Sequence, residues 1–294
     1  MGIKDIEKVR VLLDRFYIEH KDNMGKWIRN DPIEFPHSYD NPADIEIAGF
    51  IASSLAYGRV SLFKPVIRKI LSLSNGSLYD FVVNFEIKDL SRFEDIRYRM
   101  SSGMDIACFI YFIREILRKH DSIGRIFYSL YNPEDNDIGN TLIRFVEYML
   151  GIDSTPVYGS KIYPKGLLFL LPSPQKGSAC KRLNLFLRWM VRSGDGIDFG
   201  LWRDIPPSRL IIPLDTHIAQ TCRNLGLTAL KTNGWKMARE ITANLKHLDH
   251  DDPVKYDFAL CHHSISGGCS HIEDRDRCKE CILEDICIKG KHNN

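Results

Sequence analysis

The chain has 294 residues, which is enough for one large domain or for two compact lobes. Its composition, 44% hydrophobic and 27% charged, is that of a globular protein and excludes a disordered or fibrous chain. With 40 basic and 38 acidic residues the formal net charge is only +2. A nucleic-acid partner would therefore need a local basic face rather than a high overall charge.

The sequence predicts neither a leader peptide nor a membrane span. Residues 1–8 are charged and contain no apolar core of the kind found in signal peptides. The longest apolar run, 104–117, is too short to cross a bilayer and carries Arg114 and Glu115. We therefore expect a cytoplasmic protein without a membrane partner.

Apolar residues recur at three- and four-residue intervals along most of the chain, which is the spacing of amphipathic helices. Residues 44–57 are apolar on nearly every side and predict a central, buried helix. Segments rich in proline, glycine or aspartate at 30–42, 152–177 and 193–212 are predicted to be loops. Strand patterns are few and weak, so we predict an all-α fold. The predicted helices cover residues 4–20, 44–57, 61–73, 105–119, 122–131, 138–150, 179–192, 216–225, 233–248 and 253–265.

Four cysteines lie near the C-terminus with the spacing C-x8-C-x2-C-x5-C: Cys269, Cys278, Cys281 and Cys287. Each spacer is long enough for the chain to reverse its direction and too short to carry the next cysteine far away. Four thiolates could therefore bind one metal centre. In a cytosolic protein such a group indicates metal binding rather than disulfides. By ligand number the site suits Zn²⁺ and a [4Fe–4S] cluster equally. The spacing alone slightly favours zinc.

Asp215 lies at the start of a predicted helix, in the segment Pro213-Leu-Asp-Thr-His217. The simplest role for an aspartate at this position is to cap the helix, because its carboxylate accepts free N–H groups and is stabilised by the helix dipole. A carboxylate kept ionised in this way can also stabilise a cationic transition state or activate a nucleophile. The residues themselves leave both roles open.

This segment, followed by Arg223-Asn-Leu-Gly-Leu227, closely resembles the catalytic segment of the helix-hairpin-helix/Gly-Pro-Asp superfamily of DNA repair glycosylases. Residues 257–263 and the cysteines after them resemble the C-terminal end of endonuclease III, in which four cysteines hold a [4Fe–4S] cluster. The first spacer there is usually shorter than the eight residues found here. The resemblance nevertheless moves our prediction from zinc to iron–sulfur. Residues 40–265 as a whole resemble a prokaryotic family allied to the archaeal 8-oxoguanine glycosylases.

The resemblance implies a two-lobed helix-hairpin-helix glycosylase-like fold with a cleft between the lobes. We assign residues 45–192 to a central helical-barrel lobe. Residues 1–44 and 193–294 are assigned to a second helical lobe, which carries the cysteine loop at 269–287. We expect the chain to act as a monomer.

In bifunctional members of the superfamily, a lysine at the start of the helix after the hairpin is the nucleophile, and the aspartate lies across the cleft. Lys181 and Asp215 are the residues that match, with Lys176 as the second candidate for the nucleophile. The hairpin departs from the family pattern Leu-Pro-Gly-Val-Gly, because residues 171–179 read Leu-Pro-Ser-Pro-Gln-Lys-Gly-Ser-Ala and keep one glycine. The residues expected to contact DNA phosphates are Gly177, Ser178, Lys176 and Arg59.

The function implied is base excision repair: removal of a modified, oxidised base from double-stranded DNA, with AP lyase activity, by a nucleoid-associated protein. The base leaves the stack and enters a pocket, and the positive charge that develops on the sugar is stabilised by Asp215. Lys181, as the neutral amine, attacks the anomeric carbon and forms a Schiff base. We expect Trp189, Trp202 and Trp235 to be core residues, and Trp202, in a loop beside the proposed cleft, is the first candidate for an exception that stacks on a base. Cys261, His262 and His263 are expected to be helix residues packed under the cluster.

Two other functions stay open. One is a non-catalytic DNA- or RNA-binding protein on the same scaffold, holding iron–sulfur or zinc. A position of Lys181 outside the cleft would favour it. The other is a cluster protein of unrelated role, such as electron transfer.

Overall fold

The computed structural model describes residues 6–21, 24–269 and 275–288. Within these residues there is no β-strand, and the extended pairing is limited to one antiparallel bridge between Tyr98 and Ser101. The all-α prediction is confirmed. None of the helices described is both long and apolar enough to span a membrane.

The α-helices are α1 (Ile6–Lys21), α2 (Met24–Ile28), α3 (Pro42–Leu55), α4 (Val60–Leu71), α5 (Leu78–Val83), α6 (Gly103–His120), α7 (Ile123–Leu130), α8 (Gly139–Gly151), α9 (Thr155–Tyr158), α10 (Lys165–Leu170), α11 (Lys181–Val191), α12 (Thr216–Asn224), α13 (Trp235–Lys246), α14 (Asp257–Ile265) and α15 (Arg275–Lys279). Short 3₁₀ helices cover Pro32–Glu34, Pro36–Ser38, Ser72–Ser74, Ile87–Phe93, Pro174–Lys176, Pro207–Arg209 and Glu284–Ile286.

Helix α3 is buried on all sides, as its largely apolar sequence predicts. Residues 44–55 are all buried. Asn41 caps the helix, because its Oδ1 accepts the N–H of Ala43 at 2.8 Å. Helix α11 packs against α3 so closely that a Cβ at Gly49 would lie 3.0 Å from the methyl carbon of Met190. Glycine at this position therefore lets the two helices approach.

Helix α6 is the second buried helix, and its start is determined by local residues. The Ser102 hydroxyl accepts the Asp105 N–H, and the Asp105 carboxylate accepts the Ser102 N–H at 2.8 Å, which together form a capping box. A Cβ at Gly103 would overlap the carbonyl oxygen of Phe93. Helices α5, α7 and α10 pack around α6 and enclose it.

The prediction of one long loop over 152–177 is wrong, because this segment contains α9, α10 and a 3₁₀ turn. Pro164 and Pro172 enclose an apolar run that is too short for a helical period to be recognised. In the structure α10 buries Leu167 and Leu170 against α6. Helix α5 was also not predicted from the sequence. The predicted loop 30–42 contains two 3₁₀ turns, which were not predicted either.

A buried carboxylate joins α3 to α7 and to the connection after α11. Glu46 is 5% exposed and accepts the N–H groups of Ile123 and Gly124 and the indole N–H of Trp202, each at 2.8 Å. Burial raises the pKa of Glu46, although the three donors oppose the shift. Trp202 is buried here, beside a depression separate from the cavity that holds the catalytic candidates. Its predicted position near that cleft is wrong.

The raised pKa of Glu46 makes stability depend on pH with a defined sign. A carboxyl whose pKa is higher in the folded chain contributes stability fully below its ordinary value, 4.5 for this residue, and loses it as the pH rises through the raised value. The natural protein should therefore have an advantage in unfolding free energy over Glu46→Gln that decreases as the pH rises from about 4 to 7. Urea titrations at a series of pH values measure this difference, and a rise over the same window would contradict the prediction.

Helix α11 is also bound by ion pairs to segments that follow it in the chain. Arg188 and Arg192 have side chains only 3% exposed. Burial lowers the pKa of Arg192, but the surrounding carboxylates hold it well above its ordinary value. The two arginines pair with Asp195, Asp198, Asp252 and Asp257. These contacts connect α11 to residues of the second predicted lobe, and the lobe boundaries themselves stay a prediction.

Helices α1, α12 and α14 form a second group, in which α14 packs against both of the others. The N-terminal helix therefore packs against the C-terminal part of the chain. His217 on α12 places its Nδ1 2.9 Å from the hydroxyl of Ser264 on α14, which adds a polar contact between these two helices.

Candidate active site

A cavity of about 680 Å³ lies where α11, α12 and α14 meet. Four distant parts of the chain line it: residues 30–32, residues 56–63, helix α11, and residues between 213 and 265. Lys181, Asp215 and Arg59 are among the lining residues. The fold thus brings the predicted catalytic pair and one predicted phosphate contact into a single cavity.

The two predicted catalytic side chains face each other. Lys181 Nζ lies 3.8 Å from Asp215 Oδ2, and the side chains are 30% and 23% exposed. The pair is therefore reached by water, which screens its attraction. Nucleophilic attack by a lysine needs the neutral amine, and the Asp215 carboxylate is placed to take up the proton.

Asp215 caps α12, as its place in the sequence predicts. Its Oδ1 accepts the N–H groups of His217 and Ile218, both at 2.9 Å. Its backbone is extended, with φ −118° and ψ −169°, which is the usual geometry of a capping residue. One carboxylate oxygen holds the start of the helix, while the other faces Lys181. The capping role and the catalytic role that the sequence left open are therefore compatible.

A constrained turn places Lys181 at the start of α11. Cys180, directly before it, is buried and has φ +48° and ψ +35°, a left-handed conformation that residues other than glycine rarely adopt. The N–H of Cys180 donates to the Ser178 hydroxyl at 3.2 Å. The chain therefore enters α11 abruptly, with its first residue opposite Asp215.

The segment that matches the glycine hairpin closes as a 3₁₀ turn. Gly177 has φ +75°, its N–H donates to the Pro174 carbonyl at 2.8 Å, and its own carbonyl accepts the Trp235 N–H at 3.1 Å. Ser178 is half-buried and Lys176 is exposed. The Gly177 amide is thus engaged within the protein, and phosphate contacts by this segment stay a prediction.

Arg182 supports the cavity wall. Its guanidinium donates to the Ser54 carbonyl at 2.6 Å and to the Phe169 carbonyl, and it stacks over the Tyr57 ring at 4.9 Å. Burial lowers the pKa of Arg182 to about 10, although nearby groups oppose the shift. These contacts join the start of α11 to the end of α3 and to α10.

The cavity also contains ionisable residues that sequence analysis did not assign to the site. Asp257 is buried and pairs with Arg188, and burial raises the pKa of Asp257 to about 6 although Arg188 opposes the shift. His262 places Nε2 3.1 Å from Asp31 Oδ2. Cys261 also lines the cavity. The sequence signal that could have placed Asp257 and Cys261 at one site is their four-residue interval, because it puts both on one face of a helix.

Cys281 lies within electrostatic range of the other three C-terminal cysteines. Burial raises the pKa of Cys281, and the other three cysteines, Cys269, Cys287 and Cys278, raise it further, because neighbouring thiolates repel, while the Leu283 N–H opposes the shift. Within residues 6–21, 24–269 and 275–288, no three metal-binding side chains are already arranged around one point. Chemically, four neighbouring thiols fit either Zn²⁺ or a [4Fe–4S] cluster.

Together, the fold and the cavity define an all-helical protein with a lysine–aspartate pair at the junction of three helices. Residues 31–266 match the model of the family described as "Protein of unknown function (DUF2400)". This match covers most of the chain, so the chain belongs to that family. No curated protein and no solved structure matches it. Lys181 and Asp215 lie within the matched residues, whereas the four cysteines follow them.

Proposed function

We propose that this protein is a DNA repair glycosylase with AP lyase activity, which removes an oxidised base from double-stranded DNA. The observation that carries the proposal is the 3.8 Å separation of Lys181 Nζ and Asp215 Oδ2 in a cavity of about 680 Å³. Base excision needs a nucleophile, a fixed carboxylate and a pocket for the extruded base. A cavity of this volume is within the usual range for small-molecule pockets.

Asp215 would stabilise the transition state. As the base departs, positive charge develops on the sugar, and a carboxylate already held in place lowers the barrier without reorganising. The N–H groups of His217 and Ile218, which donate to Asp215 Oδ1, hold the carboxylate in one orientation. Its Oδ2 is left to face the reacting atoms and the lysine.

Lys181 would supply the nucleophile once its proton has passed to Asp215. Its amine forms a bond to the anomeric carbon as the glycosidic C–N bond breaks. The base leaves with the electron pair and takes up the proton held by Asp215, which restores the carboxylate. A proton then passes from the attacking nitrogen to the ring oxygen as the bond between this oxygen and the anomeric carbon breaks, and the new C–N bond becomes a protonated Schiff base. Loss of a proton from the neighbouring sugar carbon expels the 3′ phosphate and cleaves the strand.

Basic groups near the cavity would hold the DNA backbone. Arg59 is exposed, lines the cavity and is the residue before α4. Lys176 is exposed a few residues before Lys181, next to Gly177 and Ser178. Contacts of this kind orient a duplex without reading its sequence, so the lesion itself would be selected within the cavity.

The cysteine segment would hold a [4Fe–4S] cluster, with zinc as the alternative. A centre bound by four thiolates would close the loop formed by residues 269–287. Just beyond this loop, the N–H of Ile288 donates to the Asn224 carbonyl at the end of α12, at 2.6 Å. The bound metal would thereby brace the helix whose first turn is capped by Asp215.

Borohydride trapping on duplexes containing an abasic site or 8-oxoguanine tests the proposal. We expect the natural protein to form a covalent adduct, because borohydride reduces a Schiff base to a stable amine. Lys181→Gln should abolish the adduct and Lys176→Gln should retain it. Loss of the adduct in Lys176→Gln alone would assign the nucleophile to the exposed lysine. Absence of an adduct with every substrate would reject the lyase activity.

One observation favours a non-catalytic nucleic-acid-binding protein as the second candidate. Lys181 and Arg59 line the same cavity, which therefore offers two basic side chains to a phosphate. This alternative predicts salt-dependent binding to DNA or RNA with no adduct, and a similar loss of affinity in Lys181→Gln and Arg59→Gln.

A further inference from the structure

A histidine on α14 lies beside the cysteine segment. His263 Nε2 is 3.8 Å from Cys281 Sγ, which is within hydrogen-bonding reach of a sulfur atom. Its neighbours Cys261 and His262 line the cavity instead. Helix α14 therefore provides side chains both to the cavity and to the surroundings of Cys281.

The imidazole of His263 is held in its orientation from several sides. A Cβ at Gly268 would overlap the ring at Nδ1, so a glycine is needed there for the ring to fit. The Gly268 N–H donates to the His263 carbonyl at 2.9 Å. Phe16 meets the ring edge-on, with centroids 5.2 Å apart. These contacts leave Nε2 directed towards Cys281.

We propose that His263 is a positioning residue of the cysteine site, whose Nε2–H donates a hydrogen bond to the Cys281 thiolate. Four thiolates around one centre repel one another, and a donor to one sulfur reduces its charge and fixes its direction. The metal centre is thereby held more firmly. The inference rests on the metal site of the proposed function, but it does not depend on the chemistry of Lys181.

The test compares His263→Leu, which has no donor, with His263→Gln, whose amide N–H can replace the imidazole N–H. His250→Leu is the matched control, because the His250 side chain is 84% exposed. Each protein is purified anaerobically, its metal is identified by elemental analysis, and the rate of metal loss to excess chelator is measured. Circular dichroism checks that the helices are retained.

We expect His263→Leu to lose its metal about tenfold faster than the natural protein, since partners of metal ligands typically contribute at least that much to affinity. His263→Gln and His250→Leu should stay near the natural rate. An unchanged rate in His263→Leu would overturn the proposal. Equally fast loss in His263→Gln would also overturn it, because packing rather than a donor would then explain the effect. Natural protein without bound metal would reject the site altogether.

These readouts apply to either metal and are independent of DNA. If iron is found, the reduction potential provides a second readout: removal of the donor leaves more negative charge on sulfur, so His263→Leu should be harder to reduce. An unshifted potential would count against the hydrogen bond. Faster metal loss in a protein that forms no borohydride adduct would support this inference while rejecting the glycosylase.

Discussion

For the glycosylase activity proposed above, Asp215→Asn is expected to lower the rate of base excision by about 10²–10³-fold and to leave folding stability unchanged. Asparagine is as good a helix cap as aspartate, since its side-chain oxygen can accept the same two N–H groups, from His217 and Ile218. It carries no charge, however, and so cannot stabilise the cationic sugar or take a proton from Lys181. The substitution separates the two roles of one carboxylate.

Single-turnover excision from an 8-oxoguanine duplex measures the first role, and urea unfolding measures the second. Asp215→Ala is the comparison, because it should lose the activity and also about 1 kcal/mol of stability with the cap. If Asp215→Asn retained full excision activity, the charge of Asp215 would have no part in the reaction. If Asp215→Asn were as unstable as Asp215→Ala, the helix cap would depend on the negative charge of Asp215.

Arg192→Met is expected to destabilise the protein by about 3–5 kcal/mol. The guanidinium Nε lies 2.9 Å from both oxygens of Asp252, and Nη1 pairs with Asp195 and Asp198. Asp195 and Asp198 are almost fully buried, so removing the cation leaves carboxylates that water cannot easily solvate. Methionine has a similar length and fills most of the space, which isolates the loss of charge.

Urea unfolding at neutral pH measures this effect, with Arg125→Met as the control. Arg125 pairs with Asp121 at 2.6 Å, but both side chains are more than two-thirds exposed, so its replacement should change stability little. Arg192→Lys should lie between the natural protein and Arg192→Met, because it keeps the charge but not the planar fork. Equal stabilities for Arg192→Met and Arg125→Met would mean that the buried network contributes nothing net.

The two predictions are connected through α11, because Asp215 faces Lys181 at the start of this helix and Arg192 lies at its end. Lys181 is the first residue of α11, and Arg192 directly follows the last. The ion pairs after α11 thus anchor the helix that presents the candidate nucleophile. We therefore expect borohydride trapping by Arg192→Met to be weaker than the fraction of folded protein would give. The reason is that the ion pairs of Arg192 help to hold α11, and with it Lys181, in place relative to Asp215.

Much of the local structure follows from the sequence, because the interactions that create it are local. The buried helix at 44–55 is apolar on nearly every side, and the cap at Asp215 needs only the amides that follow it. The segment 165–170 shows the limit of this reasoning: its helix is too short to reveal a period, and packing against α6 stabilises it.

The cysteine spacing and the capping aspartate were evident from the sequence, and the resemblance to the glycosylases paired Lys181 with Asp215. Only the tertiary structure decided that these two side chains share a cavity with the Asp31–His262 pair, whose members are 231 residues apart in sequence. It likewise decided that Trp202 binds Glu46 inside the protein, and that His263 faces Cys281. The physical reason is that a contact between distant polar groups leaves no periodic trace in the sequence, since neither partner is unusual until the chain has folded and removed both from water.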